Sequence, residues 1–143
     1  MVSFDVNVLV NAYREAAPDH ALFKAEWEKH YQGSSPVAIS SVALSGFVRI
    51  VTHPKIFFPA TPLADALEFC EAVISHPLTR QVEPGKAHAR IFFGLCREIQ
   101  AGGNLVADAW FAALAIEQGL TWISGDRDYG LFPELNWKWV RRS

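Results

Sequence analysis

The sequence predicts an α/β fold built on a parallel sheet with helical crossovers, and two observations carry that prediction. Short apolar runs of strand type alternate along the chain with longer stretches of helical periodicity. In addition, residues 104–132, NLVADAWFAALAIEQGLTWISGDRDYGLF, read as one helix, one short strand and one acidic loop. That loop follows a strand's C-terminal end, where open α/β sheets place their ligands.

Composition sets the outer limits. The chain has 143 residues, the size of a single domain spanning 1–143, and 50% hydrophobic content is enough for one filled core. A charged fraction of 20% with 13% aromatic residues argues against disorder. The net charge of −2 gives no global basic field, so any nucleic-acid contact has to be local. Cys70 and Cys96 fall inside predicted helices without CxxC or zinc spacing, and read as reduced thiols of a cytoplasmic protein. No apolar run approaches the ~18 residues of a membrane span, and the start has no basic leader, so a soluble protein with no membrane association is expected. Internal repeats, linkers, glycine-rich phosphate loops, GxSxG and HExxH are all missing from the sequence.

In chain order, residues 2–6 (VSFDV) are a buried-strand candidate with Asp5 at its end. Asn7 is expected to cap a helix to about residue 16. Asp5 alone reads as a turn or capping residue, but its strand-end place, like that of Asp126 and Asp128, points to a shared site. Asp19 starts a second helix with Ala21, Phe23, Ala25, Trp27 and Tyr31 as apolar contacts. Lys24, Glu26, Glu28 and Lys29 are expected to face water, and His20 and His30 to be surface residues. Residues 37–39 form a second strand, and Ser40 or Ser41 caps a helix to about residue 52. Arg49, the one charge in that helix, either snorkels to solvent or balances the acids. Residues 55–62 (KIFFPATP) are irregular and apolar, a satellite core or a partner-binding patch. Thr61 then caps a helix with Pro62 at its first position, and Leu63, Ala66, Leu67, Cys70 and Ile74 share helical spacing. Residues 80–83 suit a short extended piece, and Pro84 opens a helix through residue 101 with Ile91, Leu95, Cys96 and Ile99 inward. Lys86, Arg90 and Arg97 on its other side are a solvated face or, alternatively, a phosphate-contacting rim.

Gly102 and Gly103 break that helix, and Asn104 is the expected cap of the next. From 105 to 116 every residue except Asp108 is apolar, which predicts a buried helix with Asp108 as a carboxylate in a buried wall. Gly119 ends it as a left-handed cap, residues 120–124 (LTWIS) form a strand, and Asp126 and Asp128 follow. Residues 135–140 alternate as a final edge strand does. Three acids so arranged, with no lysine run nearby, need a cation, and Mg²⁺ or Mn²⁺ prefer such oxygen ligands.

Asp5 with Asn7 after the first strand, FVR in the third helix, LVADAWFAALAIEQG and ISGDRDYGLF together resemble the PIN-domain family. Size and motif order are similar to its VapC-type ribonuclease toxins from bacterial toxin–antitoxin pairs, over nearly the whole chain. The resemblance implies a three-layer α/β/α sandwich with a central parallel sheet and an acidic pocket at the sheet's C-terminal edge. It implies Mg²⁺- or Mn²⁺-dependent hydrolysis of RNA, leaving a 5′-phosphate and a 3′-hydroxyl. It also implies a cognate VapB-like antitoxin whose C-terminal segment wraps the toxin, and a toxin homodimer. By position Asp5, Asp108 and Asp126 are the implied metal ligands, with Asp128 contributing directly or through water. Asn7, Ser41, Ser45, Arg49, Ser124 and Arg127 are supporting or substrate-contacting candidates. One departure stands out: where the family has a glutamate before the aromatic-x-Arg of the third helix, this chain has Gly46.

That glycine keeps a second reading open, a PIN fold serving as a binding module with a weakened site. A third reading, a dehalogenase-type phosphatase, wants D-x-D after the first strand, but the second position here is Asn7 and no matching lysine segment is present.

Overall fold

A computed structural model describes residues 1–142 of the chain. The elements run β1 (Val2–Phe4), α1 (Val6–Tyr13), α2 (His20–Tyr31), β2 (Val37–Ser40), α3 (Ser41–Val51), α4 (Leu63–Ser75), β3 (Thr79–Val82), α5 (His88–Ile99), α6 (Asn104–Gln118), β4 (Thr121–Ser124) and β5 (Trp137–Trp139). A 3-10 turn, Arg127–Leu131, links the last two strands. The five strands form one sheet in the order β3-β2-β1-β4-β5, with every pairing parallel. The expected parallel α/β sandwich is the observed one. The chain builds outward from β1 to β2 and β3, then returns to the other side of β1 for β4 and β5. The order therefore reverses between β1 and β4, and a crevice opens at such a switch point. No helix among the described residues is long and apolar enough to cross a membrane.

The three central strands, β1, β2 and β4, are short and largely buried on both faces, as crossovers on either side of a parallel sheet require, while the edge strands β3 and β5 carry exposed residues. Phe4, Val37, Ala38, Ile39, Trp122 and Ile123 are all essentially buried. Helix α6 lies against α5 and β4 through Ala109, Phe111, Ala112, Ala113, Leu114 and Ala115, the small side chains allowing a close approach. Helix α1 packs on α2 and α3. Gly46 makes the α1–α3 contact close, since a Cβ there would stand 2.9 Å from Val6 Cγ2.

Several local expectations give way to packing. Asp5, rather than Asn7, caps α1: its carboxylate accepts from the Val6 N–H at 2.7 Å, and the helix ends at Tyr13. In α2, Ala21 and Ala25 are exposed while Phe23 and Glu26 are buried. Glu26 is tolerated there because Lys138 Nζ on β5 donates to both its oxygens, at 2.7 and 2.8 Å, with His30 at 3.2 Å. Burial pushes the Glu26 pKa up, but those hydrogen bonds outweigh it and hold the group below the usual range. Thr61 is not a cap. It is buried and accepts from Arg14 Nη1 at 3.0 Å, while Pro62 takes the cap position of α4. Helix α4 turns Ala66, Cys70 and Val73 inward and leaves Leu63, Leu67 and Ile74 exposed. Helix α5 starts at His88 rather than Pro84, because Glu117 accepts from the N–H groups of Gly85 at 2.7 Å and Ala87 at 2.9 Å and holds that stretch as a loop. Helix α6 begins with Asn104 as its first residue, Gly103 (φ 58°) occupying the cap position. Val106 and Ala107 near its start are exposed, and Asp108, which lines a cleft, is half-buried instead of walled in.

Candidate active site

Parallel register fixes the centre of the site. Phe4 of β1 pairs with Ile123 of β4, and the Asp5 N–H donates to the Ile123 carbonyl at 2.9 Å. Asp5 and Ser124 therefore emerge side by side just past the strands. The Ser124 hydroxyl donates to Asp5 Oδ2 at 2.7 Å and accepts from the Asp126 N–H at 2.9 Å. Asn7 Nδ2 donates to Asp5 Oδ2 at 3.0 Å and to Ser124 Oγ at 3.3 Å, and its Oδ1 accepts from the Gly125 N–H at 3.0 Å. The turn after β4 is thus held by side chains from the turn after β1. Only glycine fits at 125, where a Cβ would lie 2.5 Å from the ring of buried Phe23. Asp126 then caps the 3-10 turn, one oxygen accepting from the Asp128 N–H at 2.9 Å.

The second turn of α6 brings a third carboxylate, that of Asp108, to the same place. One oxygen each from Asp108, Asp126 and Asp128 lie within 4.8 Å of one another. Asp5 stands beside this triad as its buried neighbour, with its oxygens already accepting from Val6, Asn7 and Ser124. All four acids line one cleft of about 540 Å³ with Asn7, Asn11, Asn104 and Ala107. Val6, Val10, Ile50, Ile56 and Phe57 line the same cleft with apolar groups.

Among the described residues, no lysine or arginine pairs with any of these acids. Burial, then repulsion from Asp108 and Asp126, raises the Asp5 pKa from its ordinary 3.8 to about 6, against the hydrogen bonds of Ser124 and Val6. Asp108 also rises to about 6, through burial and then the charge of Asp126. Carboxylates this crowded gain from a divalent cation, and an all-oxygen donor set with no sulfur or imidazole matches Mg²⁺ or Mn²⁺ over softer metals.

The remaining sequence candidates are placed differently. Ser41, Ser45 and Arg49 are exposed on α3 and do not line the cleft. Arg49 takes the snorkelling option. Arg127 is exposed on the 3-10 turn, Arg90 and Arg97 are exposed on α5, and Lys86 is exposed in the loop before it. Cleft residues that periodicity did not single out are Asn11, Asn104 and Ala107, together with Ile56 and Phe57 of the 55–62 segment, whose three adjacent large apolar groups were the only signal.

The sequence model of the PIN domain matches residues 2–137. Ribonuclease VapC43 of Mycobacterium tuberculosis (strain H37Rv) is 35% identical over 138 residues, covering 96% of this chain and 94% of that protein. Among solved structures, VapBC2 from Rickettsia felis, bound to a DNA fragment from its promoter, aligns with a TM-score of 0.71 at 16% identity, over 96% of this chain and 98% of that one. A toxin–antitoxin complex from Klebsiella pneumoniae aligns at 0.61 and 15% identity, over 94% and 95% of the two chains. At those identities the structural likeness speaks for the fold.

Proposed function

The chain belongs to the PIN-domain family, with VapC-type ribonucleases among its relatives, and from that premise we propose that it is a metal-dependent endoribonuclease toxin of the VapC type. The observation that carries the proposal is the cluster of Asp108, Asp126 and Asp128 at the sheet's switch point, without a protein cation to balance it. Asp108, Asp126 and Asp128 would hold the ion, with Asp5 next to them. A bound Mg²⁺ or Mn²⁺ lowers the pKa of a water and offsets charge on the phosphoryl oxygens.

The chain's own residues do the positioning. Asp5 gathers the Ser124 hydroxyl and the Asn7 amide, and these two hold the backbone N–H groups of Gly125 and Asp126. That chain of contacts aims Asp126 and, through the 3-10 turn, Asp128. The apolar side of the cleft limits water near the carboxylates and so strengthens their field. Asn11 and Asn104 provide neutral hydrogen-bonding groups at the cleft, suited to sugar or base edges of an RNA strand.

The partners we propose are RNA as substrate, a VapB-like antitoxin and a second toxin copy. The names of the relatives support RNA as the substrate class and the toxin–antitoxin structural neighbours support an antitoxin, while the second copy rests on the family resemblance. Gly46 favours the second reading, a binding module, but its close contact with Val6 gives it a packing role of its own. Cleavage of a structured RNA with Mg²⁺, Mn²⁺ or EDTA, beside the Asp108→Asn protein, tests the proposal. Cleavage that needs metal and is lost in the variant supports it; no metal-dependent cleavage of any RNA contradicts it.

A further inference from the structure

Three buried side-chain polar atoms among the described residues have no hydrogen-bond partner, and two of them lie together under the acid cluster. They are the Tyr129 hydroxyl and the Trp122 indole nitrogen, on rings whose centroids are 5.8 Å apart and which are both fully buried. The core surrounding them is well satisfied, and orphaned polar groups of this kind are rare in folded proteins. Tyr129 sits in the 3-10 turn directly after Asp128, packed by Trp122, Phe132 and Trp137, so its ring has little freedom to leave.

The two orphaned groups lie side by side, and the 3-10 turn that carries Tyr129 packs on α6, the helix that carries Asp108. Chemistry allows only one order for the three groups. An indole N–H can only donate, a carboxylate can only accept, and a phenol can do both. A tyrosine hydroxyl keeps its proton at neutral pH and is available as a donor.

We propose that Tyr129 is a positioning residue: its hydroxyl accepts from Trp122 Nε1 and donates to Asp108, holding that carboxylate in the orientation that receives a divalent cation. The inference rests on the metal-dependent reading above and adds to it a support beneath the ligands. A hydrogen bond to one Asp108 oxygen would fix the plane of the carboxylate and leave its remaining lone pairs for the ion. Supporting groups of this type change metal affinity rather than the chemistry itself.

Tyr129→Phe removes the hydroxyl and keeps the ring, so packing is preserved. Calorimetric titration with Mn²⁺ should show affinity about tenfold weaker than in the unaltered protein, while thermal unfolding in EDTA changes little. RNA cleavage by the variant should return to the unaltered rate once Mn²⁺ is raised to saturation. Affinity within twofold of the unaltered protein overturns the proposal, as does a rate deficit that saturating Mn²⁺ does not repair. If the unaltered protein itself takes up no Mn²⁺, the metal-dependent reading falls and the positioning role with it. Asp108→Asn, run in parallel, marks the affinity of a broken site.

Discussion

Replacing Asp5 by Asn should make the metal-free protein more stable at high pH while abolishing cleavage. A carboxyl with a folded-state pKa of about 6 against an ordinary 3.8 favours its neutral form in the fold. The stability it contributes is fully present below about pH 3.8 and is lost as pH rises through about 6. Above that range the ionised, buried Asp5 opposes folding by about 3 kcal/mol. Asparagine still accepts from the Val6 N–H, and the Ser124 hydroxyl can turn to suit it. The Asn7 Nδ2 contact with Asp5 Oδ2, however, becomes donor against donor, a loss of about 1–2 kcal/mol. The variant should therefore be about 1–2 kcal/mol more stable than the unaltered protein at pH 8 and about 1–2 kcal/mol less stable near pH 4. At about 3 °C per kcal/mol for a chain of this size, the shift in Tm is a few degrees. Thermal and urea unfolding in EDTA at both pH values measure it. A stability difference that stays the same between pH 4 and pH 8 would refute the reasoning.

Three further outcomes follow from the same geometry. Mn²⁺ affinity should hold above pH 6 and fall below it, by about tenfold per pH unit for each proton displaced, because Asp108 takes up its proton at about 6; calorimetry at pH 5, 6 and 8 checks this. Gly125→Ala should cost about 1–3 kcal/mol, its new Cβ meeting the Phe23 ring at 2.5 Å, and should weaken Mn²⁺ binding by displacing Asp126. Gly46→Glu should destabilise by a similar amount of about 1–3 kcal/mol through Val6, and Val6→Ala in the same chain should recover part of the loss; additive effects in chemical unfolding would count against that contact.

The architecture was legible because the central strands are short, mostly apolar runs and the helices between them keep their period. The acids were legible because Asp5 and Asp126 end strands and Asp108 interrupts an apolar helix. What escaped depends on the third dimension. Periodicity could not choose between the two apolar faces of α4, so Ala66, Cys70 and Val73 are buried while Leu67 and Ile74 are exposed. Glu26 looked solvated until β5 placed Lys138 against it. Asp108 looked walled in because composition does not reveal that the start of α6 borders an open cleft. Asp5 took over the capping role expected of Asn7 because the strand ended one residue before the acid, making the carboxylate both cap and site member. That Ser124 joins Asp5 to the Asp126 backbone needed the register of β1 against β4.

A Mn²⁺ titration at pH 8 of the unaltered and Asp108→Asn proteins, with RNA cleavage followed in the same samples, asks whether the carboxylates at the switch point hold a catalytic divalent cation. Saturable Mn²⁺ binding by the unaltered protein is expected, with cleavage that rises with occupancy and loss of both in the variant. Absence of Mn²⁺ and Mg²⁺ binding in a folded protein, or cleavage that persists in EDTA, would contradict it.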